Sequence, residues 1–465
     1  MSTPDHLHVA IVGAGITGVV LALGLQARGV SCTVYERRGP TPQDRVSGAG
    51  IGFSPNAERA MGMVHPGVLA EFKRVATPNG EDLFQFVDGY TDRLLYALPV
   101  GTSGFQGGLR HDFLNAWLNL FREGVVRYDK ELDTIIATKT RGSDRLVLVF
   151  NDGTSASADV VIGCDGLHSR VRELLYPGPP AENSSSPEAG PRPCPLYTGK
   201  YCYRALAPMS LAVAALGEPR SSTRFLYIGR GAHIITYPVG EPALLNVLVV
   251  LSEPQPGTDG AVPTPSGTND ASADARIASA FRNWAIRPRR AAALLEDARS
   301  HWLRLGEPGG GGGEGGAGDD RWLIYDFAER PLPQYVLPGG RVCLAGDAAH
   351  ATAPHLGAGG GMGIEDALVL SEVLAEVDSR IQEAGTDGKQ ELVARALEAY
   401  NTVRYGRTQE VIALTRDACD VFHGLRPDVS CDGARFGRCV ASLFHTVWDY
   451  DVEGMVADAL AVLDG

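Results

Sequence analysis

A strand, a glycine-rich turn, a helix and a second strand follow one another at the start of the chain, and they constrain its fold more than any other segment. His8–Val12 (HVAIV) is a continuous apolar run typical of a buried parallel strand. The sequence GAGITG follows at positions 13–18, and a helix is predicted from there to about Gly29. A second apolar strand, Ser31–Tyr35, leads into Glu36. This order of elements predicts a Rossmann-type unit that binds an adenine dinucleotide.

Each glycine of this turn has a physical reason. Gly13 is expected to allow the tight turn, and Gly15 to let a pyrophosphate approach the backbone. Gly18 is expected to let the helix pack closely on the strand. The carboxylate of Glu36 can accept hydrogen bonds from a ribose diol. These four residues are therefore candidate cofactor-binding residues.

A second glycine-rich segment, Arg341–Asp366, has the sequence RVCLAGDAAHATAPHLGAGGGMGIED. It is predicted to begin as a buried strand, to turn at Gly346-Asp347, and to cross a loop of small residues into a helix. Glu365 and Asp366 are predicted to lie in the first turn of that helix, where acids suit the positive end of the helix dipole. The glycines are expected to keep side chains away, so that the backbone can approach an anionic or electron-rich ligand.

Other segments add to this prediction. The small-residue loop Arg45–Asn56 is suited to close backbone approach near Ala49. Arg110 comes just before a predicted helix, from which its guanidinium can reach a phosphate. A strand at 158–164 runs into Asp165-Gly166 and a further helix, which makes a second strand–turn–helix unit.

The middle and the end of the chain differ in pattern from the beginning. Residues 197–251 alternate aromatic and β-branched residues in a way that predicts an antiparallel sheet. A Pro/Ser-rich stretch at 178–195 is predicted to link this sheet to the first domain. The low-complexity segment 309–320 is predicted to be a flexible excursion without function. Helices are expected after residue 365.

Composition and charge exclude several classes of function. The 465 residues suffice for two or three domains. A net charge of −13 and the absence of a Lys/Arg run give no electrostatic reason to bind nucleic acid or an anionic membrane. The eight cysteines include no CxxC pair, so no metal site or disulfide scaffold is predicted. Neither a signal segment nor a membrane span is recognised, and a cytoplasmic location is expected.

Three segments now stand in a set order: GAGITG with Glu36, CDGLHSRVR at 164–172, and LAGDAAHATAPHLGAGGGMGIEDA at 344–367. The set resembles the class A flavoprotein monooxygenases, the one-component FAD-dependent aromatic hydroxylases, and the resemblance extends from residue 8 to about residue 400. The segments YTGKYCYRAL, ITYPVG and HTVWDYDVEG are similar to the salicylate-hydroxylase-like branch, which includes fungal enzymes of secondary metabolism. The resemblance implies FAD as cofactor and NADPH or NADH as transient reductant.

The resemblance also implies which residues hold FAD. The implied contacts to its ADP part are Gly13, Gly15, Gly18 and Glu36; those to the ribityl–pyrophosphate region are Ala49, Arg110 and Asp347; and those along the isoalloxazine are Pro354, Gly359 and Gly360. Backbone N–H groups near Gly360 are implied to stabilise negative charge on the flavin. Asp165 and Gly166 are implied to support FAD binding and to engage NAD(P)H.

The implied mechanism is hydride transfer to FAD, reaction with O2, and a flavin C4a-hydroperoxide that delivers an electrophilic oxygen. The substrate must then be electron-rich, so a phenol bound as phenolate is expected, together with a protein cation and a dry cavity. Arg204, the single charge in the strand Tyr201–Leu206, is the candidate cation. Tyr237 is its candidate partner, either as a hydrogen-bond donor to the substrate or as an aid to deprotonation. In dearomatising relatives an Arg and a Tyr from these two segments form the functional pair.

The predicted fold class is α/β. A Rossmann-like FAD-binding domain of the GR2 type is predicted at 1–75, 100–178 and 322–400. A mainly antiparallel β-sheet substrate domain is inserted at 76–99 and 179–321. A C-terminal helical region occupies 401–465.

Alternatives differ in what they would require. A flavin halogenase should carry a WxWxIP segment, which the sequence lacks, and an amine oxidase should not carry the DG and GD segments at these positions. A salicylate-type decarboxylating hydroxylase and an isoprenoid alkene epoxidase both stay open, although the epoxidase would not need Arg204. An inactive flavin-binding protein would bind FAD without substrate-stimulated NAD(P)H oxidation. The sequence does not decide NADH against NADPH, the regiochemistry or the oligomeric state.

Overall fold

The computed structural model of the protein describes residues 6–40, 50–77, 83–101, 104–140, 143–177, 193–240, 244–253, 273–304, 321–337, 340–385, 388–430 and 433–465. The strands within these ranges are β1 (His8–Val12), β2 (Ser31–Tyr35), β3 (Gly50–Phe53), β4 (Leu83–Asp88), β5 (Leu94–Pro99), β6 (Gln106–Leu109), β7 (Val126–Arg127), β8 (Leu132–Thr140), β9 (Ser143–Phe150), β10 (Ser155–Ala158), β11 (Val160–Gly163), β12 (Leu196–Pro208), β13 (Arg224–Gly229), β14 (Ala232–Val239), β15 (Leu244–Ser252), β16 (Trp322–Asp326) and β17 (Val342–Leu344).

The helices in the same ranges are α1 (Ile16–Ala27), α2 (Pro55–Val64), α3 (Pro66–Val75), α4 (Arg110–Leu118), α5 (Arg170–Leu175), α6 (Met209–Leu216), α7 (Glu218–Ser221), α8 (Ala273–Phe281), α9 (Ile286–Arg304), α10 (Asp347–His350), α11 (Gly359–Ala384), α12 (Lys389–Phe422), α13 (Pro427–Ser430), α14 (Gly433–Trp448) and α15 (Val452–Asp464). A 3-10 turn covers Pro354–Leu356. None of these helices is both long and apolar enough to cross a bilayer.

A parallel five-stranded sheet, in the order β17-β11-β1-β2-β7, forms the first layer. Its central strands are buried and apolar because helices cover them, and α1 packs directly on α11. The carboxyl ends of β1, β11 and β17 are neighbours in this sheet. The loops that follow them therefore meet at one edge, and these loops carry GAGITG, Asp165 and Asp347. The predicted Rossmann-type α/β fold is confirmed.

A seven-stranded sheet, in the order β16-β12-β15-β14-β13-β4-β5, forms the second body. Its neighbouring strands are antiparallel except for the parallel pair β13 and β4. The sheet contains β4 and β5, which lie within the predicted insertion 76–99. It also contains β16, which pairs with β12.

The alternation of side chains along the large sheet decides which residues face the first domain. Tyr203 and Ala205 of β12 lie in the apolar cluster with α9. Cys202 and Arg204 point to the opposite face, toward the loop after β17. Helices α12 and α14 cover part of this second face, and the predicted boundary at 400 falls inside α12. The predicted C-terminal helical region is present.

Candidate functional site

The first glycine-rich turn leaves no room for side chains at two of its positions. Gly13 has φ +102°, and a Cβ atom there would lie 2.5 Å from the carbonyl oxygen of Cys164. A Cβ atom on Gly18 would lie 2.1 Å from the carbonyl oxygen of Gly13. At Gly15 the nearest atom is Nη2 of Arg110, 4.0 Å away, so the surface there is open. The turn therefore has the shape that a closely bound phosphate group requires.

Glu36 lies beside this turn. Its Oε2 accepts a hydrogen bond from the backbone N–H of Ala14 at 2.8 Å, and its Oε1 accepts one from Arg38 N–H at 2.9 Å. Each carboxylate oxygen can accept more than one hydrogen bond. The carboxylate is thus oriented by the backbone and keeps acceptor capacity for a ribose hydroxyl.

Arg110 begins α4 and lies over the same turn. It forms no hydrogen bond or ion pair with any residue that the structure describes. Burial lowers the pKa of its guanidinium, and nearby Arg38 adds to this, while Asp347 and Glu36 act in the opposite direction. A half-buried guanidinium without a partner suits the pyrophosphate of a dinucleotide.

The second glycine-rich segment provides the rest of the cofactor cradle. Asp347 lines two cavities, and burial raises the pKa of its carboxyl group although His350 and Arg110 oppose the shift. Pro354 lines both of these cavities, and Gly359 and Gly360 line one of them at the amino end of the 26-residue helix α11. Free backbone N–H groups at a long helix start stabilise negative charge. The residues present therefore fit the FAD that the turn predicts.

The prediction for Glu365 and Asp366 was wrong. α11 begins at Gly359, so neither acid lies in its first turn, and both are fully buried. Asp366 Oδ1 accepts a hydrogen bond from Arg404 Nε at 2.8 Å, and its Oδ2 lies 2.5 Å from His350 Nε2. Glu365 accepts from Arg404 Nη1 at 2.5 Å and from Asn56 Nδ2 at 2.6 Å. The acids belong to a buried ion network, not to a dipole-capping position. The segment 351–360, which leads from α10 into the first turn of α11, is here called the flavin loop after its predicted role.

The glycines of this segment also differ from the prediction. A Cβ atom on Gly363 would lie 2.1 Å from Thr17 Oγ1, and one on Gly361 would lie 3.2 Å from Ala57 Cβ. These two glycines allow helices to pack, whereas the nearest atom to a Cβ on Gly359 is 3.5 Å away. Only part of the glycine run is therefore available to a ligand.

Asp165 and Ala49 are two further residues that are predicted to bind the cofactor. Asp165 accepts hydrogen bonds from Ser169 Oγ at 2.5 Å and from Val171 N–H at 3.0 Å, so its carboxylate holds the start of α5. Gly166 follows it with φ +79°. Ala49 lies outside the described residues. Its neighbour Gly50 donates its N–H to Asn246 Oδ1 at 3.1 Å and lines both cavities.

The first cavity, here the Arg204 cavity, has a volume of about 390 Å³. Its wall includes Arg204, Tyr237, Trp322 and Asp347. The guanidinium carbon of Arg204 lies 3.5 Å from the centroid of the Trp322 ring. Within the described residues Arg204 has no hydrogen-bond or ion-pair partner, and burial lowers its pKa. The structure thus brings the two predicted catalytic residues, Arg204 and Tyr237, to one cavity beside the flavin loop.

The second cavity, here the Arg224 cavity, has a volume of about 250 Å³ and shares Tyr237 and Asp347 with the first. Phe84, Phe105 and Phe444 contribute apolar walls, and Arg224 contributes the cation. Burial raises the pKa of Tyr237, although Arg224 and Arg204 both oppose the shift. Arg224 was not predicted as a site residue, because an Arg at the start of a strand is usually exposed to solvent. The sequence did hold one indication: Arg224, Leu226 and Ile228 alternate along β13, so they lie on the same face of the sheet.

A group of buried histidines lies behind the flavin loop. His233 Nδ1 is 2.8 Å from His423 Nε2, and His423 Nδ1 is 2.8 Å from Ser252 Oγ. Ligand atoms of His233, His355 and Cys419 lie within 4.8 Å of one another. Burial raises the pKa of the Cys419 thiol to about 12, so a metal ion would have to displace its proton. The members of this group are far apart in the sequence, so no sequence pattern predicted that they lie together.

Comparisons with known proteins agree with this geometry. The family model described as FAD binding domain matches residues 6–185 and 335–410. The chain is 39% identical to the FAD-dependent monooxygenase orf3 of Aspergillus niger, over 100% of this chain and 98% of that protein. It is 38% identical to the FAD-dependent monooxygenase pigN of Monascus ruber, over 97% and 95% respectively.

A solved structure has the same architecture over nearly the whole chain. The substrate complex of salicylate hydroxylase superposes with a TM-score of 0.71 at 25% identity, and the match covers 98% of each chain. The family match and the full-length relatives lead to one conclusion. This chain is a flavoprotein of the FAD binding domain family and belongs to the FAD-dependent monooxygenases.

Proposed function

We propose that this monooxygenase hydroxylates an electron-rich phenol, a polyketide-type secondary metabolite, with or without loss of aromaticity. The observation that carries the proposal is Arg204, an unpaired cation held against Trp322 in the wall of a cavity that adjoins the flavin loop. Bound FAD would supply the activation of O2 after its reduction by NAD(P)H. The resemblance of the chain to fungal FAD-dependent monooxygenases supports this substrate class.

Arg204 has the properties that binding a phenolate requires. A cation in a partly desolvated wall favours the charged form of a neighbouring phenol, because an opposite charge nearby lowers the pKa of an acid. The phenolate is more electron-rich than the phenol and is therefore the more reactive partner for an electrophilic oxygen. Stacking on Trp322 fixes the plane of the guanidinium before the substrate arrives.

Tyr237 is assigned the role of a hydrogen-bond donor. Burial raises the pKa of its hydroxyl group, so this group carries its proton at neutral pH. A protonated hydroxyl group donates to a phenolate or carbonyl oxygen, whereas it is a poor base. Of the two predicted roles, donation to the substrate is therefore favoured over assistance in deprotonation.

The apolar walls of the Arg224 cavity are proposed to exclude water from the reaction. Phe84, Phe105 and Phe444 line it, and each is buried. Exclusion of water protects a reactive oxygen species from wasteful decay. An alkene epoxidase would use a wholly apolar cavity, whereas each of these two cavities has an arginine in its wall.

A salicylate-type decarboxylating hydroxylation is the second candidate. The structural similarity to salicylate hydroxylase favours it. Its substrate has a carboxylate, which would need its own cationic partner in the cavity.

The experiment separates the two candidates. FAD-loaded enzyme is given NADPH or NADH, and nucleotide oxidation is followed with a 2,4-dihydroxyarylaldehyde or with salicylate. Gain of one oxygen with loss of aromatic absorbance identifies the dearomatising reaction. Catechol and CO2 from salicylate identify the decarboxylating reaction. Unstimulated oxidation with every phenol, although FAD is bound, would contradict both.

A further inference from the structure

We propose that Arg224 is a second anion-binding residue of the substrate site, and that the substrate carries two ionisable oxygen groups. One of them, the reacting phenol, is held at Arg204. The other, a carboxylate or an ionised hydroxyl conjugated with a carbonyl, is held at Arg224. This inference rests on the proposed function and extends it to the class of substrate.

The sheet places Arg224 on the same face as the predicted pair. Arg224 begins β13, where it pairs with Phe84 of β4, and both line the Arg224 cavity. Three strand spacings separate β13 from β12, which carries Arg204. At about 4.8 Å per spacing the two backbones are about 14 Å apart. Because side chains stand roughly perpendicular to a sheet, both arginines project from the same face with an interval of this order between their strands, which accommodates an aromatic ring system.

Arg224 is buried without a partner. Its side chain belongs to a residue that is 3% exposed, and its Nη1 has no hydrogen-bond partner among the described residues. The Phe105 ring centroid lies 5.3 Å from its guanidinium carbon. Burying a cation without an anion is costly, so a protein keeps one where a ligand supplies the anion.

The acid that acts on Arg224 is Glu58. It attracts Arg224 electrostatically, and its Oε1 has no hydrogen-bond partner among the described residues, but its Oε2 accepts a hydrogen bond from Lys73 Nζ and no ion pair joins Glu58 to Arg224. The hydroxyl of Tyr237, which is a neutral donor, also lies close enough to interact with Arg224. The guanidinium therefore lies in the cavity wall without an ion-pair partner among the described residues.

The chemistry of a guanidinium defines the group that it binds. Its planar fork pairs with two oxygens of a carboxylate, or with one strongly ionised oxygen. Tyr237 lies in the walls of both cavities and can donate to an oxygen between the two arginines. A ring with ionisable oxygens at two separated positions fits all three groups, whereas a simple phenol leaves Arg224 unpaired.

The test uses FAD-loaded enzyme and a matched pair of ligands. 2,4-Dihydroxybenzaldehyde has a second hydroxyl conjugated with its carbonyl, and 2-hydroxy-4-methoxybenzaldehyde has this hydroxyl methylated. Salicylate provides the carboxylate. Dissociation constants are measured from the change in the flavin spectrum for wild type, Arg224→Gln, Arg224→Lys and the control Arg93→Gln. Arg93 is exposed in the turn between β4 and β5 of the same sheet.

The expected result is selective. Arg224→Gln should raise the Kd of 2,4-dihydroxybenzaldehyde, of salicylate, or of both by about 30-fold, as loss of a hydrogen bond to a charged group does. The methoxy analogue should change little, Arg224→Lys should keep part of the preference, and Arg93→Gln should match wild type. Which ligand responds identifies the group bound at Arg224.

Other outcomes overturn the inference. If Arg224→Gln changes all three ligands equally, or none, Arg224 does not bind a second oxygen group. A structural role predicts a lower Tm and less bound FAD in Arg224→Gln, whereas removal of an uncompensated buried charge predicts an unchanged or higher Tm. If no phenol perturbs the flavin of the wild-type enzyme, the proposed function itself fails, and this inference fails with it.

Discussion

The guanidinium of Arg204 lies on the indole ring of Trp322, with 3.5 Å between the guanidinium carbon and the ring centroid. Arg204 comes from β12 and Trp322 from β16, its antiparallel neighbour. The ring holds the cation in the cavity wall, so Trp322→Leu should loosen it and raise KM for a phenolic substrate. A cation–π contact of this kind corresponds to about a 3- to 30-fold effect.

Trp322→Phe is the matched control, because it keeps an aromatic face with a weaker attraction for cations. Its KM should lie between those of wild type and Trp322→Leu, while Arg204→Gln should show the largest loss of substrate-stimulated NAD(P)H oxidation. Equal KM values for all four proteins would show that Arg204 does not hold the substrate.

Local sequence pattern predicted the parts of the site that lie within one strand–turn–helix unit. Gly13 and Gly18 were identifiable because each has a local reason to be glycine: Gly13 has φ +102° in the turn, and a Cβ on Gly18 would meet the carbonyl oxygen of Gly13. Arg204 and Tyr237 were identifiable because one polar residue in an alternating apolar strand indicates a special environment. The order strand, glycine-rich turn, helix and strand then predicted the Rossmann-type fold.

Contacts between distant segments could not be predicted in the same way. Arg404 lies 38 residues beyond Asp366, on another helix, and nothing in the spacing shows that they pair in a fully buried network. The prediction that Asp366 lies in the first turn of its helix, where acids are common, was therefore wrong. Arg224 was missed for the same reason, since its burial depends on Phe105 and on the flavin loop.

Arg110 should contribute directly to FAD affinity. It lies 4.0 Å from the position of a Cβ on Gly15 and forms no ion pair with a described residue, so Arg110→Gln should weaken FAD binding by about 10- to 100-fold. Titration of FAD into apoenzyme, followed by flavin fluorescence, measures this. Arg127→Gln, an exposed substitution in β7, should leave the affinity unchanged. Normal affinity in Arg110→Gln would place the pyrophosphate elsewhere.

Arg404 should be a stability residue. Its removal leaves Glu365 and Asp366 as buried carboxylates whose remaining partners are His350, Asn56, the backbone N–H of Gly346 and the more distant Arg407, 3.8 Å from Glu365. Arg404→Met should lower the free energy of unfolding by about 3–5 kcal/mol in urea. Arg380→Met, which breaks partly exposed pairs with Glu376 and Asp464, should cost less than about 1 kcal/mol. Similar losses for both variants would contradict the importance of the buried network, and Arg404→Lys can replace Arg404→Met if the latter does not fold.

The buried histidines should make the protein sensitive to acid. Burial lowers the pKa of His233 to about 3, and burial and the neighbouring histidines keep the pKa values of His355 and His423 well below the ordinary value of 6.5. The unfolded chain therefore binds more protons than the folded chain below about pH 6.5. The free energy of unfolding should fall as the pH is lowered from 6.5 toward 3, and it should change little through these groups above 6.5.

The slope of Tm against pH tests this origin of acid sensitivity. His423→Asn removes one group that must stay neutral, so it should flatten the decline of Tm between pH 7 and pH 5, even if it lowers Tm at pH 7 by breaking the contacts with His233 and Ser252. The exposed His445→Asn should not flatten the decline, because solvent already hydrates that ring. If the profile of His423→Asn runs parallel to that of wild type, the acid sensitivity comes from carboxylates instead of the histidine group.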